Sequence, residues 1–140
     1  MGKFLINGGH RLQGRVRVTG AKNSILPILA AAILTSKTVR IHDCPRLLDV
    51  ENMLEILRIL GCQVTWLDDV ITIDPSNIRS WELPEYLTKE LRSSIVMLGP
   101  ILGRCRRAKL TYPGGCEIGL RPIDLHLKGL KQLNAKIDES

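Results

Sequence analysis

The chain carries an internal repeat, and that feature limits its fold more than any other. In the first copy, Arg15 to Val18 alternates like a strand that Gly20 ends. Asn23 or Ser24 is placed to cap a helix, and Pro27 is tolerated in the first turn. The run Ile25 to Leu34 is apolar on most sides, as in a buried helix. Val39 and Ile41 alternate as a short strand, and Val50, Met53, Leu54, Leu57 and Leu60 recur at helical spacing. Gly61 is the stop, and Val64 to Trp66 with Val70 to Ile73 read as a hairpin around Asp68-Asp69. In the second copy Ser93-Ser94 stands 70 positions after Asn23-Ser24. Ile95 to Leu102 is its apolar helix and Lys109 to Tyr112 its strand. Leu127, Leu130 and Leu133 follow Leu54, Leu57 and Leu60 by 73 positions, with Asn134 in place of Gly61 and Ile137 in place of Val64.

The offset therefore grows by three between the short strand and the amphipathic helix, where Pro113-Gly114-Gly115-Cys116 lies. Insertions in repeat architectures map to loops, often on the functional face. A unit of strands and two helices cannot bury its faces alone, so stacked copies are expected. The fold class is α/β (α+β), built from repeated strand-and-helix units.

Composition narrows the function classes. Hydrophobic residues make up 44% and charged residues 24%, which favours a packed core over disorder. No apolar run reaches the length of a membrane span, and Met1-Gly2-Lys3-Phe4 lacks the apolar region of a signal peptide. A soluble cytoplasmic protein without a membrane partner is expected. Cys44, Cys62, Cys105 and Cys116 show no C-x-x-C pairing, so free thiols are expected rather than disulfides. His42 and Cys44 have no second ligand pair, so no metal and no cofactor is expected. The net charge of +6 favours an anionic partner. Aromatic residues are only 4%, too few for a base-stacking surface, and Arg104, Arg106, Arg107 and Lys109 read as a solvated turn. Nucleic acid is not the expected partner.

Lys22 and Arg92 are repeat equivalents, each at the predicted start of an apolar helix. A cation there opposes the helix dipole at a cost of about 0.3–1 kcal/mol. It makes sense if a phosphate or carboxylate binds the free N–H groups, and otherwise it is an exposed cation with water as partner. Glycines in Pro113-Gly114-Gly115-Cys116-Glu117-Ile118-Gly119 let a backbone approach a ligand and suit a lid. Cys116 beside Arg121 and exposed amides would be an activated thiol; the alternative is a small buried hydrophobe, as most free cysteines are. Pro122 and Asp124 fit a first helical turn for structural reasons alone, His126 fits its surface, and Arg121 offers a planar fork for phosphate or carboxylate.

Gly20-Ala21-Lys22-Asn23, Leu26-Pro27 and Leu48-Asp49-Val50 resemble the opening of the enolpyruvyl transferases. The stretch Leu110-Thr111-Tyr112-Pro113-Gly114-Gly115-Cys116-Glu117-Ile118-Gly119-Leu120-Arg121-Pro122-Ile123-Asp124-Leu125-His126 is more specific. It resembles the cysteine loop of the UDP-N-acetylglucosamine enolpyruvyl transferases, which the sister enzymes of the shikimate pathway lack. The likeness runs from about Leu12 to Ile137.

The resemblance implies an inside-out α/β barrel-type domain, here an incomplete set of units. Residues 1–21 would be strands belonging to the other domain of the family, and residues 22–140 the first two units of the cysteine-loop domain. It implies transfer of the enolpyruvyl group of phosphoenolpyruvate to the sugar 3-hydroxyl with release of phosphate, the first committed step of peptidoglycan synthesis. Lys22 and Asn23 would bind phosphoenolpyruvate. Arg92, Arg121, Pro122, Ile123, Asp124 and Leu125 would hold UDP-N-acetylglucosamine. Cys116 would donate a proton to the enolpyruvyl carbon, could form a covalent adduct with it, and would be the target of the epoxide fosfomycin. Family members are longer, so an inactive fragment that needs the missing C-terminal part is expected. A non-catalytic truncated module and a small basic nucleic-acid binder are the alternatives.

Overall fold

The computed structural model describes residues 3–112 and 122–139, apart from the side chain of Arg92. The first helix, α1 (Lys22–Ala31), starts one residue before the expected caps. Ala21 is the extended N-cap residue, and no side chain caps the end. Pro27 lies inside α1, and the helix tightens into a 3-10 turn over Ala32–Leu34. Ile25, Leu26, Leu29 and Ala30 form its buried face. Strand β1 (Val39–Ile41) follows, then α2 (Leu48–Leu60), which buries Val50, Met53, Leu54, Ile56, Leu57 and Leu60.

The hairpin is present as β2 (Gln63–Leu67) and β3 (Val70–Asp74), turning through Asp68 at φ 52°. The sheet is antiparallel in the order β1-β3-β2. Register places Ile73 opposite both Val39 and Val64, and Ile71 opposite both Ile41 and Trp66. The period of two thus puts one apolar face of the sheet into the core shared with α2. Arg46 stacks on Trp66, 4.7 Å from the ring centroid, and donates to the Asp68 carbonyl.

The second half is more irregular. A short helix, α3 (Glu85–Glu90), buries Leu87 and Thr88. The region expected as one helix over Ile95 to Leu102 is a 3-10 helix, Arg92–Met97, running into α4 (Leu98–Cys105). Helix α5 (Asp124–Gln132) is amphipathic as expected, yet it buries no residue.

The repeat is visible in the hydrogen bonds. The Ser24 N–H donates to the Ala21 carbonyl at 3.1 Å, and 70 positions later the Ser94 N–H donates to the Leu91 carbonyl at 2.9 Å. Both helices start at the equivalent residue, Lys22 or Arg92. Helix ends match at the offset of 73. The Cys62 N–H bonds to the Leu57 carbonyl and the Gly61 N–H to Arg58, both at 2.9 Å. The Ala135 N–H bonds to the Leu130 carbonyl and the Asn134 N–H to Lys131, both at 3.0 Å. These are paired Schellman stops, with Gly61 at φ 108° and Asn134 at φ 64°.

Three strand expectations fail. Residues 15–18 form no strand; Val16 and Val18 are about nine-tenths exposed, because no strand among the described residues pairs with them. The expected strand over Lys109 to Tyr112 is one parallel bridge from Lys109 to Glu82, since only a single residue meets a partner backbone. Ile137 lies outside any strand for the same reason, having no partner backbone among the described residues.

Candidate active site

Three helix starts carry most of the residues that the sequence singles out. Lys22 is the first residue of α1, and it does not stand alone. Its ammonium pairs with the carboxylate of Asp49, which lies in the first turn of α2. The Lys22 side chain is 53% exposed and that of Asp49 27%, so the pair sits at the surface with one side open to water. Asn23, the next residue, is exposed. Arg92 starts the 3-10 helix that packs against α1. The direction of its side chain lies outside the described atoms.

Cys116 and Arg121 lie outside the described residues. The segment leading to them is held firmly. Leu83 N–H donates to the Lys109 carbonyl and Lys109 N–H to the Trp81 carbonyl, both at 3.0 Å. The Thr111 hydroxyl meets that of Thr88, a fully buried residue of α3, and the buried Ser94 hydroxyl donates to the Thr88 carbonyl. On the far side, Pro122, Asp124 and Leu125 are exposed at the start of α5, and Leu125 is 74% so. Ile123 is half-buried and lines a broad cleft between α5 and α4, shared with Trp81, Leu98, Leu102 and Tyr112.

The described cysteines are free thiols with different surroundings. Burial pushes the Cys62 thiol up to about 11; the Asp74 carboxylate adds to the rise and Arg104 opposes it. Burial also raises the Cys44 thiol. Both behave as inert core residues. No group of three or more His, Cys, Asp or Glu among the described residues could hold a metal, and no described helix is long and apolar enough to cross a membrane.

Sequence reasoning quoted Asp49 only as part of a resemblance. An acidic residue in a first helical turn already has a structural reason to be there, so nothing local marks it as the partner of Lys22. The packing of α1 on α2 is what reveals it.

The protein-family model described as EPSP synthase (3-phosphoshikimate 1-carboxyvinyltransferase) matches residues 6–140. Among curated proteins, the UDP-N-acetylglucosamine 1-carboxyvinyltransferase 2 of Caldanaerobacter subterraneus is 54% identical over 140 residues, all of this chain and 34% of that protein. The one from Carboxydothermus hydrogenoformans is 49% identical, over 99% of this chain and 33% of its own length. The UDP-N-acetylglucosamine 1-carboxyvinyltransferase of Cellvibrio japonicus is 45% identical over similar shares, 99% and 33%. The chain thus spans about a third of the length of these relatives. Among solved structures, the enolpyruvyl transferase NikO from Streptomyces tendae superposes with a TM-score of 0.60 at 34% identity, covering 69% of this chain and 23% of that one. A family match along nearly the whole chain, joined to a solved enolpyruvyl transferase of like fold, places the sequence: it belongs to the EPSP synthase family of carboxyvinyltransferases.

Proposed function

We propose that this chain is the first part of an enzyme that moves the enolpyruvyl group of phosphoenolpyruvate onto the 3-hydroxyl of UDP-N-acetylglucosamine and releases phosphate. The observation that carries the reading is end-to-end identity of 45–54% with relatives named for that carboxyvinyl transfer. The residues supply a chemical rationale. Adding a hydroxyl across the enol double bond requires a proton on the carbon, and the Cys116 thiol donates it. Lys22 and Asn23 at the start of α1 bind phosphoenolpyruvate, where free N–H groups and a cation both favour an anion. Arg92 and the run Arg121, Pro122, Ile123, Asp124 and Leu125 hold the nucleotide sugar. Lys22, Arg92 and Arg121 converge on one anion-binding site.

In this reading residues 22–140 are the first two units of an inside-out α/β barrel, and residues 1–21 join the other domain. The reaction serves peptidoglycan synthesis in the cytoplasm, and the Cys116 thiolate attacks fosfomycin, opening its epoxide to form a C–S bond and leave a hydroxyl. The 140-residue chain by itself does not turn over, because the group that takes the sugar hydroxyl's proton is supplied by the rest of the enzyme.

A phosphate-release assay with both substrates tests this. The complete protein containing this sequence is expected to release phosphate only when both substrates are present, and its Cys116→Ala variant to release none at neutral pH while still binding the nucleotide sugar. Retained turnover in that variant removes Cys116 from the mechanism. Turnover that titrates with the purified 140-residue chain refutes the need for the rest of the protein.

A further inference from the structure

Lys22 faces an electrostatic problem at the position where it stands. Its ammonium lies at the start of α1, where the partial positive charge of the helix end repels it. Its four-carbon stem has many rotamers, and an anion that must first fix them binds less tightly. The Asp49 carboxylate answers both difficulties. It is itself stabilised in the first turn of α2, it is the less exposed of the two groups, and it pairs with the Lys22 ammonium. An ammonium has three donors, and an incoming anion can use those that Asp49 does not. The exposure of Lys22 leaves room for one.

The pair is not needed to dock the helices. α1 buries Ile25, Leu26, Leu29 and Ala30, and α2 buries Val50, Met53 and Leu54; these apolar faces hold the two together without it.

We propose that Asp49 is a positioning residue for Lys22: it fixes the ammonium at the start of α1 so that the phosphate or carboxylate of phosphoenolpyruvate meets a cation already in place. This rests on the reading of Lys22 as a phosphoenolpyruvate contact. Asp49 touches Lys22 and acts on substrate only through it.

The test uses the complete protein containing this sequence, with Asp49→Ala, Asp49→Glu, and Asp49→Ala combined with Lys22→Met. Competitive acylation read by mass spectrometry reports on each lysine, with the other lysines as internal references. Lys22 is expected to label about two to five times faster in Asp49→Ala, the range of a partly exposed ion pair, and to return toward the native rate in Asp49→Glu. Phosphoenolpyruvate is expected to protect Lys22 in the native protein, and Asp49→Ala to raise the half-protecting concentration by a similar factor of about two to five. Asp49→Ala is also expected to raise KM for phosphoenolpyruvate and not for the nucleotide sugar, with no further effect once Lys22 is Met. The unfolding midpoint, measured alongside, separates positioning from folding.

An unchanged Lys22 labelling rate in Asp49→Ala, with phosphoenolpyruvate protection intact, overturns the proposal alone. Tighter protection in Asp49→Ala overturns it too, making the carboxylate a competitor of substrate. Absent protection in the native protein, with the labelling response present, overturns the reading of Lys22 itself and the proposal with it.

Discussion

Replacing Gly61 by Ala is expected to be among the most damaging single-methyl changes in the chain. Gly61 ends α2 at φ 108°, a conformation that costs an L-residue about 1–2 kcal/mol. An added Cβ would also lie 2.4 Å from the Asn77 carbonyl oxygen, 3.0 Å from the Arg79 nitrogen and 3.3 Å from the Ile78 Cα. All three atoms are backbone, and the segment cannot swing aside freely. The Arg79 N–H bonds to the Leu60 carbonyl at 2.8 Å and the Ser80 N–H to the same carbonyl at 3.2 Å. Overpacking of this kind adds about 1–3 kcal/mol. The total is about 3 kcal/mol, which lowers Tm by roughly 10 °C in a chain of this size. Asn134→Ala separates the two terms. Asn134 has a similar left-handed φ at the repeat-equivalent stop but is exposed, so only the conformational cost of about 1 kcal/mol applies. Gly99→Ala is the opposite control: nothing lies within 4 Å of its Cβ in helix α4, and Ala is favoured there by about 0.5–1 kcal/mol. Urea unfolding followed by circular dichroism measures all three. A loss below about 1 kcal/mol for Gly61→Ala would refute the steric argument, because the φ term alone predicts that much.

Alkylation with iodoacetamide at neutral pH is expected to modify Cys116 well before Cys44 and Cys62, whose thiols burial holds protonated; peptide mapping that finds Cys62 first contradicts this. Alkaline stability follows the same thiol. Cys62 ionises near its ordinary 9.0 in the unfolded chain and near about 11 in the folded one, so its contribution is intact below 9 and falls by about 2–3 kcal/mol as pH rises to 11. Cys62→Ala should flatten the stability profile over that window. At the other end of the chain, the Tyr112 hydroxyl donates to Glu139 at 2.9 Å and Lys131 lies 3.2 Å from the same carboxylate. The tie holds Glu139 below, and Tyr112 above, their usual ranges. It is therefore present at neutral pH, lost as pH falls through the lowered Glu139 value and lost again as pH rises through the raised Tyr112 value. Ultraviolet titration of Tyr112 in Glu139→Gln should move back toward an ordinary phenol, and no movement would refute the contact.

How much of this was legible in the sequence depended on whether the signal was local. The α2 pattern, the Gly61 stop and the Asp68-Asp69 hairpin are encoded by neighbours in the chain, and all three are present. Alternation at Arg15 to Val18 gave a strand pattern, but a strand also requires a partner, which the sequence does not name. α3 was missed because its six residues bury only Leu87 and Thr88, too few for a helical period to register. The start of α1 fell at Lys22 because Ala21, with no capping side chain, serves as the N-cap. In the site, residue types and repeat spacing marked Lys22 and Arg92. The Lys22–Asp49 pair joins residues from two helices and depends on their packing, so periodicity could not supply it.

The sheet order β1-β3-β2 also dictates a sequence of events in time. The β2–β3 hairpin joins adjacent segments and can close within about 1–10 μs of their being free to move. β1 cannot take its place on the other side of β3 until residues 42–69, α2 among them, have been made and drawn into a loop. On a ribosome adding about 5–20 residues per second, Val39 and Ile41 emerge seconds before Ile71 and Ile73 can cover them. During that wait β1 is only three residues long, with the charged Arg40 between its two apolar ones. Such a short segment is a poor template for another chain, so its brevity protects the nascent protein from pairing with the wrong neighbour.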